Sequence, residues 1–188
     1  MKDYISVFDG VLPVSICDQL ITKFEKNEAH EQEHTDWQNR HFKEVNVSKH
    51  THWAQEQEVL TNVVQNLVRV YMDTHGILLD SQWPRTFGYE QFRLKRYLPN
   101  GRDEFAFHTD VGSHASARRF LSFLFYLNSV PEGGKTVFAY APNDAPFYTV
   151  TPKPGSVLVF PPLWMYPHWG EKVIGGPKYI LSTYLHYL

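Results

Sequence analysis

The chain has 188 residues with a formal net charge of −2 and a single cysteine. That length suits one domain and can bury a core of its own. The charge is too small to recruit nucleic acid or an anionic membrane, and one thiol excludes an internal disulfide. The N-terminus MKDYISVFDGVLP carries early aspartates and no long apolar run. Neither a secretory leader nor a membrane span is expected, and the chain reads as a cytoplasmic protein of a reducing compartment.

In chain order, Tyr4 to Phe8 reads as a short strand broken at Asp9-Gly10, and Ser15 can cap a helix carrying Ile16, Leu20, Ile21 and Phe24 at helical spacing. Asn27 to His52 is polar and without clear period, a long exposed connection with room for short strands. Ala54 to His75 is the best helix: Val59, Leu60, Val63, Val64, Leu67, Val70 and Tyr71 form one stripe, and Gly76 stands at its end. After Pro84 the chain turns to strands: Phe87 to Leu98, Phe105 to Phe107, Arg119 to Asn128, Thr136 to Tyr140, Ser156 to Phe160 and Tyr179 to Tyr187. Helices followed by many short strands predict a mainly β fold with supporting helices, a jelly roll. A single domain over 1–188 is expected, with helical support and loops in 1–85 and the β core in 86–188.

His108-Thr109-Asp110 places an imidazole and a carboxylate two residues apart, which on a strand share one face. One further histidine would complete a triad of two His and one carboxylate, the donor set of non-haem Fe(II) oxygenases. The motif recurs at His34-Thr35-Asp36, which is discounted because its polar surroundings offer no strand to aim it and no apolar wall. The third ligand is to be chosen among His114, His168 and His186. His114 is too close in sequence and His186 lies near the end, whereas His168 sits in an aromatic segment after a strand. Ten positions later Lys178 opens the last strand, and alternation puts Lys178, Ile180 and Ser182 on one face, expected to look into the barrel. Cys17 reads as a helix-face core residue.

These pieces occur together with RYLPNG at 96–101, FYLN at 125–128, the Gly133-Gly134 turn, PGSVLVFP at 154–161 and PHWGEKVIGGPKY at 167–179. In that order and spacing the chain resembles the prolyl 4-hydroxylase-like branch of the iron and 2-oxoglutarate-dependent dioxygenases, over roughly the last 100 residues. The resemblance implies a double-stranded β-helix in which His108, Asp110 and His168 hold Fe(II). It implies that Lys178 binds the distal carboxylate of 2-oxoglutarate, helped by Tyr126, with Tyr97 close to the co-substrate. It further implies O₂ as oxidant, ascorbate as an accessory reductant, and hydroxylation of a C–H bond coupled to conversion of 2-oxoglutarate to succinate and CO₂. The substrate it favours is a prolyl residue in a peptide or protein, with small molecules open. Asn27 to His52 and Val111 to Arg119 are the expected substrate-shaping loops. Two competing readings are a nucleic-acid dealkylase on the same barrel and a barrel that binds metal without turnover.

Overall fold

The computed structural model describes residues 4–26, 32–35 and 40–188, and for 32–35 only the backbone pairing. The strands are β1 Ser6–Phe8, β2 Gln32–Thr35, β3 Arg40–Asn46, β4 Phe87–Tyr89, β5 Arg93–Tyr97, β6 Glu104–His108, β7 Arg119–Tyr126, β8 Thr136–Phe138, β9 Tyr148–Val150, β10 Val157–Phe160, β11 His168–Gly170 and β12 Lys178–Tyr187. Two α-helices, α1 Val14–Glu25 and α2 Ala54–His75, precede most of them. Among the described residues the strands form one antiparallel network in the order β1-β10-β7-β12-β5-β3-β6-β11-β8-β9, with β2 added to β3 and β4 to β12. Seven of these strands (β5, β6, β7, β8, β10, β11 and β12) line a common chamber, so the sheet wraps around it. This is the double-stranded β-helix that the strand-rich second half predicts.

The long apolar run of β7 explains how the layers are held. Leu121, Phe123 and Phe125 pack outward with Cys17, Leu20 and Phe24 of α1 and Leu60, Val64 and Leu67 of α2. The alternate residue Tyr126 packs inward with Tyr97, Phe138, Leu158, Phe160 and Ile180. A strand covered on both faces must be apolar throughout, hence RFLSFLFY. α2 ends as its sequence predicts: Gly76 takes a left-handed conformation at φ 63°, and Ile77 N–H closes the last turn on Met72 O. At the bottom of the fold Gly155 (φ +76°) lets the backbone pass Leu12, whose oxygen would lie 2.0 Å from any added Cβ. The same glycine's carbonyl accepts from Val11 and Leu12 N–H.

Three expectations need correcting. Within the stretch from Asn27 to His52, expected to be a long exposed connection with room for short strands, the described residues 40–46 form β3, with Phe42, Glu44, Val45 and Asn46 buried, seated between β5 and β6. Helix α1 starts at Val14 with Pro13 as its cap residue, so Ser15 lies inside the first turn and caps nothing. The predicted strand from Phe87 to Leu98 is two strands, because the chain leaves β12 after Tyr89 and rejoins it at Arg93. Among the described residues no helix is long and apolar enough to cross a membrane.

Candidate active site

Strand pairing brings the first elements of the site together. His168, at the start of β11, stands directly opposite His108, at the end of β6, and their rings lie 4.3 Å apart between centroids. Asp110 is two residues past the end of β6, where Arg119 Nη1 donates to its backbone oxygen at 3.1 Å. The side chains therefore converge although Asp110 is not itself on the strand. His108 Nε2 lies 3.4 Å from Asp110 Oδ1, and His168 Nε2 4.0 Å from Asp110 Oδ2. One ligand atom from each of the three residues lies within 4.8 Å of the other two.

Each imidazole is oriented in the same way. The Nδ1 of His108 is 2.7 Å from Ala106 O, and that of His168 is 3.0 Å from Tyr166 O. A carbonyl can only accept, so both rings carry the proton on Nδ1 and turn a bare Nε2 inward. Phe105 stacks on His108 at 3.7 Å, and Phe138 and Phe160 flank His168. Burial, together with the neighbouring His108, pushes the His168 imidazole down to about 4, so it is neutral at pH 7. Burial acts on Asp110 in the opposite sense to its surroundings, but the facing imidazoles and Lys95 win and hold its carboxyl well below the ordinary range. A neutral His168 and an ionised Asp110 are the protonation states metal ligation needs.

The residues fit an iron ion on this structure's own terms. His108 Nε2 is buried with no hydrogen-bond partner, which is costly unless something else occupies its lone pair. The separations from Asp110 are those of donors sharing one ion at roughly 2 Å each. Among the described residues no other cluster of three such groups occurs. His114 is exposed in a short helical turn, and His186 packs on Gly88 at the far end of β12. Contrary to expectation a strand runs through His34, whose backbone lies in β2 opposite Phe42; Asp36 lies outside the described residues.

The chamber that holds the triad is also lined by Lys178, which is 4 % exposed. It faces inward with Ile180 and Ser182, as alternation predicts. Tyr97 is its cross-strand neighbour, and Lys178 Nζ lies 6.0 Å from the Tyr97 ring and 5.7 Å from that of Tyr126. Among the described residues Lys178 makes no hydrogen bond or ion pair. Burial pushes its amine down to about 8, with Glu171 opposing. Tyr97 reaches the chamber wall, but Tyr126 does not: its hydroxyl donates to Thr136 Oγ1 at 2.8 Å, and Thr136 lines the chamber in its place. Sequence reasoning missed Thr136, Tyr184 and Lys95, all of which face the site. For Lys95 the signal was available, since it alternates with Tyr97 along β5.

A match to the model of the 2OG-Fe(II) oxygenase superfamily covers residues 92–186, just over half of the chain. The chain belongs to the 2OG-Fe(II) oxygenase superfamily. The oxygenase is accordingly an enzyme that uses Fe(II) and 2-oxoglutarate. No curated protein sequence matches it significantly. Its fold is shared with solved prolyl hydroxylases. One is a viral collagen prolyl hydroxylase from Paramecium Bursaria Chlorella virus-1 in complex with 2OG (TM-score 0.68, 20% identity, covering 98% of this chain and 97% of that one). Another, from Trichoplax adhaerens, was solved with a peptide of the hypoxia inducible factor oxygen degradation domain (TM-score 0.77, 13% identity, 98% and 84%). A third is a prolyl-4-hydroxylase from Pseudomonas putida (TM-score 0.69, 16% identity, 100% and 94%). At these identities the oxygenase shares their architecture.

Proposed function

We propose that this oxygenase hydroxylates a prolyl residue of a peptide or protein, with His108, Asp110 and His168 as iron ligands and Lys178 as the anchor of the co-substrate. The observation that carries the reading is the buried ammonium of Lys178, which among the described residues makes no hydrogen bond or ion pair and has the charge of Glu171 acting on it, in the chamber that also holds the triad. An unpaired buried cation is costly, and a dicarboxylate reaching from the metal offsets that cost. The prolyl substrate is supported by the full-length likeness in fold to three prolyl hydroxylases.

When bound, iron and 2-oxoglutarate supply the oxidising chemistry: O₂ is consumed, 2-oxoglutarate becomes succinate and CO₂, and a substrate C–H bond is hydroxylated. The chain itself supplies position and dryness. The two Nδ1–H groups, tied to backbone carbonyls, keep both imidazoles in the metal-binding tautomer. Asp110 stays ionised between them. Lys178 holds the distal carboxylate, with Thr136 and Tyr97 beside it as hydroxyl groups of the same wall. The Tyr126 hydroxyl acts one step back, by fixing Thr136. Phe105, Phe138 and Phe160 exclude water around the triad, which strengthens every charge interaction inside. Substrate enters by an open cleft of about 790 Å³ on the far side of His108 and Asp110.

The test is succinate release under Fe(II), ascorbate and 2-oxoglutarate, first alone and then with proline-containing peptides, reading hydroxyproline by mass spectrometry. Peptide-stimulated succinate with equimolar hydroxyproline is the expected result. Stimulation with hydroxylation at another residue type would remove the prolyl assignment.

A further inference from the structure

A second buried lysine faces the site; its charge acts on Asp110, but it is neither an iron ligand nor the anchor of the co-substrate. Lys95 lies on β5, two residues before Tyr97 and cross-strand from Ile180 and Glu44, and is 7 % exposed. Its ammonium donates to Ser182 Oγ at 3.2 Å and lies 5.4 and 5.7 Å over the rings of Phe42 and Phe105. Among the described residues it has no ion pair. The two carboxylates that act on it are both committed: Glu44 accepts from Arg93 Nη1 at 2.5 Å, and Asp110 faces the two imidazoles. A hydroxyl and two ring faces are poor compensation for a buried charge, and burial accordingly drives the Lys95 amine down from its ordinary range.

Its position says which ligand it meets. Lys178 lines the inner chamber alone, whereas Lys95 lines both the chamber and the open cleft, at the junction formed with His108, Asp110, Ser182 and Tyr184. On β12 its hydroxyl partner Ser182 is four residues from Lys178, or about 13 Å along an extended strand. A ligand arriving through the cleft therefore passes Lys95 as it reaches the metal position. The cleft is also of opposite sign to the molecule. Arg40, Arg93, Lys95 and Arg119 line it against Glu44 and Asp110, with Arg93 paired to Glu44 and Arg119 to Glu90, while the whole chain carries −2.

We propose that Lys95 receives a carboxylate of the primary substrate, so that the hydroxylated residue carries or directly adjoins an acid. The inference rests on the oxygenase reading above and narrows its substrate. The same carboxylate chemistry has two sources: the side chain of an Asp or Glu flanking the proline in a peptide, or the free α-carboxylate of a C-terminal or free amino acid. Ser182 supplies a second donor to that carboxylate, and the ammonium gains the partner the fold withholds.

The test compares matched probes on the iron-loaded enzyme with 2-oxoglutarate, reading coupled succinate release and hydroxylated product. One pair is a peptide capped at both ends with Glu or Gln before proline. The other is N-acetylproline as the acid or the amide, with free L-proline alongside. The expected result is that the acid of one pair exceeds its neutral partner by about 30-fold or more in kcat/KM, and the pair that responds identifies the source. In Lys95→Met that preference should collapse to near unity, and in Lys95→Arg it should persist; a melting curve on each variant checks folding, with Lys95→Gln as the substitute if Lys95→Met does not fold. Equal rates for acid and neutral probes in the wild type overturn the inference, as does a preference that survives Lys95→Met. It is also overturned if 2-oxoglutarate affinity in Lys95→Met falls more than about tenfold with acid preference intact, which would assign Lys95 to the co-substrate. If no acid probe stimulates turnover while uncoupled succinate release continues, the inference fails and the oxygenase reading stands. If there is no succinate release at all, the oxygenase reading itself fails.

Discussion

Gly170 lies against Lys178: a Cβ built at Gly170 would sit 4.0 Å from Lys178 Nζ. The strand that delivers His168 thus leaves space beside Lys178 two residues later. A longer side chain there would grow into the room a dicarboxylate needs. Gly170→Val should raise the Kd for 2-oxoglutarate by about tenfold or more, from overpacking of roughly 1–3 kcal/mol. Iron binding in the same variant should hold, because β11 still presents His168. Anaerobic titration following the charge-transfer band of the loaded site measures both; an unchanged midpoint would place the co-substrate elsewhere.

Lys178 gives a prediction in two parts. Lys178→Ala should weaken 2-oxoglutarate binding by about 2–5 kcal/mol, roughly 30- to 4,000-fold, with iron retained. The pH dependence follows from burial, which lowers the amine to about 8. Binding needs the ammonium, so affinity should be flat below about pH 8 and fall about tenfold per pH unit above it. In the protein without co-substrate the sign for stability is the reverse. The unfolded chain holds the proton up to its ordinary pKa, so stability rises with pH between about 8 and that value. Lys178→Arg, which keeps its charge, should remove the break in affinity near pH 8. A break that persists in that variant would assign it to another group.

At the metal position, His108→Ala, Asp110→Ala and His168→Ala should each weaken Fe(II) binding by well over 100-fold, more than the 10- to 100-fold typical of losing an outer partner of a ligand. His34→Ala and Asp36→Ala should leave it unchanged. Equilibrium dialysis against Fe(II) under anaerobic conditions decides, and an equal loss in the two sets would undo the choice between the two His-x-Asp motifs.

Cys17 is fully buried on α1, and burial pushes its thiol up to about 11. The native protein should resist alkylation by iodoacetamide at pH 8 and react after unfolding. Cys17→Ser should retain turnover while melting lower, by burying a hydroxyl. Rapid labelling of the folded enzyme would contradict this placement.

Much of the molecule was legible in advance because hydrophobic pattern reports burial. β7 and β12 are covered on both faces and read as apolar runs; α2 is covered on one and reads as a stripe. β3 was missed for the same reason turned around. Its alternate residues Arg40, Phe42 and Glu44 line the polar cleft, so no apolar rhythm marks it as a strand. The inward face of Lys178 could be read by counting along β12, but whether Tyr126 meets a ligand could not. That depends on Thr136, ten residues away, which takes its hydroxyl.

The place of β3 has a consequence for how the chain folds. Among the described residues only β2–β3 and β8–β9 join strands adjacent in sequence; every other pairing is between distant segments, and β3 must arrive between β5 and β6. Each such closure loses loop entropy before any contact offsets it, so refolding should run in the slow millisecond-to-second range of non-local β proteins. The stretch that carries the oxygenase signature, 92–186, lacks the strand that joins its own β5 to its own β6. Expressed as a fragment beginning at residue 86, it should expose three unpaired edges, on β5 and β6 where β3 is missing and on β10 where β1 is missing, and aggregate. A soluble, cooperatively melting fragment would show that the gap can close without β3. The chemistry is written in the last hundred residues, but the barrel that makes it usable is completed by residues 40–46.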